Sequence, residues 1–324
     1  MTYALTVIFH SEIDPHGFLE LRSFIKSLPL KVTDIITLSE NRVYDFIVTL
    51  KKSENSVNER DEGLLIEKLK HDLADIAKAE LADVCESFDL ILQKNDEFRQ
   101  NKQLFCFDMD STLIYQEVIE LIAAYADVEE KVEEITTRAM NGELDFKQSL
   151  LERVSLLKGI NANIWKDLEK KLEFTKGDFE LIRGLKKTGC KLAVLSGGFI
   201  ELATFVKETL GLDYAFANKL SSEINEQGEE VFDGAVIGNI VDGEKKAELT
   251  KYIAKLENID LRHTVCVGDG SNDLPMMGVA GWGIAWNAKP KVQKLAPCQL
   301  NSDKISDIFY ILGYNDDQIK ELIK

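Results

Sequence analysis

The apolar run Leu104-Phe105-Cys106-Phe107 ends in Asp108, and Asp110 and Thr112 follow at alternate positions. Two carboxylates at the close of a strand-like run are costly to bury unless a cation or a reaction uses them. Two later apolar runs end in the same way. Lys191–Leu195 stops at Ser196-Gly197-Gly198, and Thr264–Val267 stops at Gly268-Asp269-Gly270, with Asn272 and Asp273 just beyond. Between them Lys245 and Lys246 open an amphipathic segment.

These residue types suit phosphoryl transfer. Hydrolysis of a phosphate monoester is among the slowest of biological reactions, with accelerations of up to ~10²¹-fold demanded of a catalyst. The obstacle is the approach of a nucleophile to an anion, so charge on the phosphoryl oxygens must be neutralised. An aspartate nucleophile divides the reaction into two steps, and a second carboxyl group protonates the leaving alkoxide and later activates water. Mg²⁺ prefers oxygen ligands and lowers the repulsion. Asp108 fits the nucleophile, Asp110 the general acid/base, and Asp269 the carboxylate that completes a Mg²⁺ site. Ser196 and the Gly197 amide fit phosphate donors, and Lys246 the cation. A calcium loop starting at Asp108 is excluded, because its sixth and twelfth positions, Gly and Glu in an EF-hand, hold Leu113 and Ile119.

The elements that must position these groups alternate between short apolar strands and helices, the pattern of a parallel sheet covered on both faces. Ligands bind such sheets beyond the carboxyl ends of the strands, where Asp108, Ser196 and Asp269 converge. From Leu113 the chain reads as helix for about seventy residues without a strand pattern, a helical insertion rather than a crossover. Residues 214–238 read as an irregular hairpin, Gly283–Trp286 as a short strand, and Lys304–Leu312 and Asp316–Ile323 as closing helices.

The motifs DMDST (108–112), SGG (196–198), a lysine opening a helix and GDGSND (268–273) resemble those of haloacid-dehalogenase-type phosphatases, in that family's order. Within it, Glu117, Met140, Phe146 and Arg153, with VLSGGF (194–199) and GIAWNAKP (283–290), resemble the phosphoserine phosphatases. That resemblance implies hydrolysis of O-phospho-L-serine through an aspartyl-phosphate, as the last step of serine biosynthesis. It implies Mg²⁺ held by the Asp108 carboxylate, the Asp110 backbone carbonyl and the Asp269 carboxylate, with Asn272 near the phosphate and Asp273 holding Lys246. Spacing to the GDG aspartate favours Lys246 over Lys245. Phosphoserine carries an ammonium and a carboxylate on one carbon; Glu117 suits the first and Arg153 the second, bidentately, while Met140 and Phe146 would wall off water. Trp282 and Trp286 read as packing, and Lys289 and Lys291, flanking Pro290, as facing solvent.

Ahead of this core, residues 1–95 read β-α-β-β-α-β, the ferredoxin-like split arrangement: Tyr3–Phe9, Gly17–Leu28, Val32–Leu38, Val43–Leu50, Gly63–Val84 and Phe88–Leu92. The order resembles ACT-type regulatory domains, by topology alone, and a dimerisation module, hence a homodimer, fits it as well. Lys51–Asp61 reads as a solvent loop and the charged Gln93–Gln103 as the boundary. The expected division is an ACT-like domain at 1–95, an α/β haloacid-dehalogenase-type core of Rossmann-like parallel sheet at 96–116 and 188–324, and a helical cap at 117–187.

The 324-residue chain has 45% hydrophobic and 29% charged residues, ample for a core. Its net charge of −17 argues against nucleic-acid or anionic-membrane partners. Five dispersed cysteines without a CxxC pair argue against zinc and a disulfide framework and for buried thiols. No apolar stretch approaches the ~20 residues of a membrane span, the first residues lack a secretory pattern, and a cytoplasmic location is expected. No GxxxxGK[ST] run suggests a Walker-type kinase.

Overall fold

A computed structural model describes residues 1–51, 59–81, 84, 85 and 87–324 of the chain. The amino-terminal unit is a four-stranded antiparallel sheet of β1 (Tyr3–Phe9), β2 (Leu30–Ser39), β3 (Val43–Leu50) and β4 (Phe88–Lys94), in the order β2-β3-β1-β4. All seven residues of β1 are buried, as a central strand requires. Helices Pro15–Ser27 and Glu59–Glu80 cover the sheet. The first starts cleanly because the Asp14 carboxylate accepts from the Gly17 amide and Pro15 occupies the first turn. The second begins four residues ahead of the expected Gly63 and ends short of Val84. Its polar first turn has no apolar period to announce it. Of the expected loop Lys51–Asp61, residues 52–58 lie outside the described residues.

The larger sheet contains β5 (Leu104–Phe107), β6 (Lys191–Phe199), β7 (Tyr214–Ile224), β8 (Glu230–Ile237), β9 (Thr264–Gly268), β10 (Trp282–Trp286) and β11 (Cys298–Leu300), ordered β11-β10-β9-β5-β6-β7-β8. It is parallel from β11 to β7, and only β8 runs antiparallel to its neighbour. β5 is wholly buried between β6 and β9, so Asp108 leaves the sheet at its centre. β6 does not stop at Leu195 but continues through Ser196-Gly197-Gly198 to Phe199, with a register shift against β7 between Leu195 and Phe199. The 214–238 segment is more than a hairpin, since β7 first pairs in parallel with β6. The three-residue β11 and helix Pro290–Leu295 were not expected. Lys304–Leu312 is a 3₁₀ turn, Ile305–Asp307, followed by a single helical turn, Ile308–Ile311.

Helices Val118–Tyr125, Glu129–Met140, Phe146–Ser155 and Trp165–Glu169 form the insertion above the strand ends. Phe146–Ser155 is fixed by a capping box between Asp145 and Gln148. The next helix, Asp178–Lys187, sits with the core instead: Gly184 lies flush against Phe309, where a Cβ would come within 2.5 Å of the ring. Gln93–Gln103 is no loose linker. Arg99 pairs with Asp45 at 2.7 Å and donates to the Ile311 carbonyl at 3.1 Å, and Gln93 donates to that carbonyl at 2.7 Å. Arg42 pairs with Asp307 alongside. Four of the five cysteines are buried, and Cys85 is half-buried. Among the described residues no helix is long and apolar enough to cross a membrane.

Candidate active site

Asp108 is carried out of β5 by a backbone bond from its amide to the Val267 carbonyl of β9, 2.9 Å. Its Oδ1 accepts from the Met109 amide at 2.7 Å and from Lys246 Nζ at 2.8 Å. Ser111, in the left-handed region at φ 54°, turns the chain back. That turn lets Ser111 Oγ donate to Glu117 Oε1 at 2.9 Å and the Val118 amide reach Asp110 Oδ2 at 3.4 Å. Asp110 Oδ1 is buried without a hydrogen-bond partner among the described residues.

Lys246 is completely buried in helix Gly243–Leu256 and lies between two carboxylates, Asp108 and, at 2.7 Å, Asp273 Oδ1. Burial works to lower its pKa, but the charges of Asp108 and Asp273 overcome that and raise it, so the ammonium stays protonated. Lys245 points elsewhere, to Glu248. Asp273 is seated by its Oδ2, which accepts from the Gly270 amide at 3.0 Å.

Glycines shape the rim. A Cβ on Gly268 would collide with Asp273, and one on Gly197 would stand 2.7 Å from Phe146 Cζ, where the insertion meets the core. Ser196 is fully buried and its Oγ accepts from the Gly198 amide at 2.8 Å, while the Gly197 carbonyl accepts from Asn218.

Core and insertion enclose a cavity of about 580 Å³. Asp108, Asp110, Glu117, Phe146, Arg153, Gly197, Asp269 and Asn272 all line it, whereas Ser196, Lys246 and Asp273 lie beneath its floor. The side chain of Met140 lies outside the described residues. Arg153 Nε donates to the Ser149 carbonyl one turn back, at 3.2 Å. Three charged lining residues were not foreseen: Glu120, Lys289 and Lys291. The two lysines, expected in solvent, are exposed yet border the cavity, because Lys289 caps helix Pro290–Leu295 just past the end of β10. The nearby GIAWNAKP segment was the available signal.

The site is rich in acid. Burial pushes Asp110 well above the ordinary carboxylate range, and the charges of Glu117 and Asp108 add to it. Burial likewise raises Glu117, against the Ser111 hydrogen bond. Asp269 is pushed up to about 8, by burial first and then by Asp108. Oxygen atoms of Asp108, Asp269 and Asp273 lie within 4.8 Å of one another. Asp273 is already taken by Lys246 and the Gly270 amide, which leaves Asp108 and Asp269 facing each other. Hard oxygen donors with excess negative charge and an orphaned Asp110 oxygen beside them fit a divalent cation of the Mg²⁺ type.

Residues 102–281 match the family model described as haloacid dehalogenase-like hydrolase. A phosphoserine phosphatase of Saccharomyces cerevisiae is 55% identical over 246 residues, covering 75% of this chain and 78% of the yeast protein. Among solved structures, a phospho-aspartyl intermediate analogue of a phosphoserine phosphatase is 43% identical with a TM-score of 0.59, covering 65% of this chain and 98% of that one. An unliganded probable phosphoserine phosphatase from Vibrio cholerae is 29% identical with a TM-score of 0.70, covering 98% of this chain and 88% of that one.

Proposed function

This chain belongs to the haloacid dehalogenase-like hydrolase family, and we propose that within it the chain acts as a phosphoserine phosphatase, hydrolysing O-phospho-L-serine to L-serine and phosphate. One observation carries the reading: Asp108, paired with the buried Lys246, lies on the floor of a cavity whose other walls hold Asp110, Glu117 and Arg153.

In the first step a carboxylate oxygen of Asp108 attacks phosphorus, the bond to the serine oxygen breaks, and the protonated Asp110 gives its proton to the departing alkoxide. Burial and the charges of Glu117 and Asp108 raise the Asp110 pKa, which favours the protonated form that an acid needs. In the second step water attacks the aspartyl-phosphate, Asp110 takes its proton, and phosphate leaves with the Asp108 carboxylate restored. Lys246 offsets the charge on Asp108 and the transferring oxygens, held in place by Asp273. The Gly197 amide and Asn272 serve the remaining phosphate oxygens, and Ser196 below them holds the Gly198 amide.

Phosphatases of this family generally use a metal ion. Asp108, Asp269 and the Asp110 backbone carbonyl would hold Mg²⁺, which when bound withdraws charge from the phosphoryl oxygens. Glu117 meets the substrate ammonium and Arg153 its carboxylate, while Phe146, against Gly197, keeps bulk water from the ester.

Phosphate release from a panel of small phosphomonoesters with Mg²⁺ tests the assignment, run on the wild type and on Arg153→Ala. Phosphoserine should be the preferred substrate, and Arg153→Ala should lower its kcat/KM by about 10- to 100-fold, the equivalent of one charge-assisted contact. Equal kcat/KM for phosphoserine in both proteins would reject the substrate assignment.

A further inference from the structure

Lys289, Lys291 and Val292 form one wall of the cavity. Asp89, on β4, is completely buried. Its Oδ2 accepts from the Asn301 amide N–H at 2.8 Å and its Oδ1 from Asn301 Nδ2 at 3.0 Å, with His10 Nε2 2.8 Å from Oδ2. Asn301 directly follows β11. Its Oδ1 accepts from Gln293 Nε2 at 2.9 Å, and the same Nε2 donates to the Ala288 carbonyl at 2.6 Å, one residue before Lys289.

We propose that this relay, running from Asp89 through Asn301 and Gln293 to Ala288, fixes the substrate-facing wall of the active site, so that Asn301 and Gln293 are positioning residues controlled by the amino-terminal unit. The inference rests on the proposed phosphatase reading of the cavity.

The relay has a polarity set at one end. Both Asp89 oxygens accept from Asn301, so Asn301 turns its NH₂ to Asp89 and its oxygen away. That oxygen in turn requires the NH₂ of Gln293, which is thereby aimed at the Ala288 carbonyl. The wall needs such a tether. Asn287 holds a left-handed conformation at φ 41°, and its amide bond to the Leu300 carbonyl, 2.9 Å, ties only the start of the segment. Gln293 is half-buried in helix Pro290–Leu295 and ties the other end. Val292 stays packed against Ala285 and Ala288, and releasing Gln293 frees the exposed Lys289 and Lys291 to shift relative to Glu117 and Arg153 across the cavity. Asp108, Asp110 and Lys246 stand on other strands and helices and stay in place. The expected signature is therefore weaker substrate binding with intact chemistry.

The test uses the full chain carrying Gln293→Ala, Asp89→Asn, or both. Asp89→Asn keeps volume but adds a donor, which contradicts the polarity of the relay. Each single variant should raise KM for phosphoserine about fivefold, the scale of one net hydrogen bond, with kcat within about twofold. The double variant should be no worse than either single one, since both break one relay. A folded Gln293→Ala protein with unchanged KM would overturn the proposal, as would fully additive KM effects; a purely structural role would lower Tm and leave KM alone. Wild-type protein that releases no phosphate from phosphoserine would instead reject the substrate assignment, and the same KM comparison, with the same outcomes, would then be made with p-nitrophenyl phosphate.

Discussion

Gly268→Ala probes the seat of the buried lysine without replacing any ionisable group. A Cβ at this position would stand 2.3 Å from Asp273 Oδ2, 2.4 Å from its Cγ and 2.8 Å from its Cβ. Comfortable contact between carbon atoms is about 3.5–4.0 Å, so Asp273 would have to retreat by about 1 Å. The 2.7 Å bond from Lys246 to Asp273 would then stretch beyond hydrogen-bonding range, and the ammonium would be left to Asp108 alone. A hydrogen bond to a charged group contributes about 1.5–3 kcal/mol. At about 2–4 °C per kcal/mol for a domain of this size, Tm should fall by about 3–12 °C. The same loss expressed in the barrier is about 10- to 100-fold in kcat. Thermal unfolding followed by circular dichroism, with steady-state phosphate release, measures both. Gly278→Ala is the control: its Cβ would meet nothing within 4 Å, so both quantities should stay near wild type. Gly268→Ala protein with wild-type Tm and kcat would refute the seating argument.

Two further outcomes follow from the site and its support. Removing divalent metal with EDTA should abolish phosphate release, and Mg²⁺ should restore it while raising Tm; at 100 times Kd the stabilisation is about 2.7 kcal/mol, and turnover that survives chelation would contradict the acidic-site reading. Asp178 is buried, one of its oxygens lacks a partner among the described residues, and burial pushes its carboxyl up to about 7. The folded state therefore holds a proton that the unfolded chain releases near its ordinary carboxylate value, so this contribution is fully present below about 4 and is lost as pH rises to about 7. Asp178→Asn should remove that slope and stabilise the protein more at pH 8 than at pH 5 in urea titrations; an equal effect at both values would show that Asp178 is ionised in the fold.

Much of the site was legible because its carriers are short buried strands. Leu104–Phe107 and Val265–Val267 are unbroken apolar runs, and a carboxylate just beyond such a run stands out against them. The choice of Lys246 over Lys245 rested on spacing, and the helix buries the former while the latter pairs with Glu248. Less was legible where tertiary pairing decides the structure. Ser196-Gly197-Gly198 looks like a turn from composition, yet β6 runs on past a register shift there and pairs again with β7 at Phe199. The three residues of β11 are too few to show a period, and they are a strand because β10 provides the partner. Lys289 borders the cavity because a positive-φ Asn287 redirects the chain after β10, and no local pattern encodes that direction. The bonds tying Arg99, Gln93 and Asp89 to the core join residues more than 200 positions apart; Gln93 and Arg99 belong to an ordinary polar stretch and Asp89 to a short apolar strand, and neither pattern names the distant partner.

A nucleophilic Asp108 becomes phosphorylated during turnover. The direct measurement is acid quenching of the protein during turnover of ³²P-labelled phosphoserine with Mg²⁺, followed by peptide mapping of the label. The label should reside on Asp108, within the segment Leu104–Leu113, and be absent from Asp108→Asn, which should also release no phosphate. Label on another residue, or sustained phosphate release by Asp108→Asn, would contradict the account.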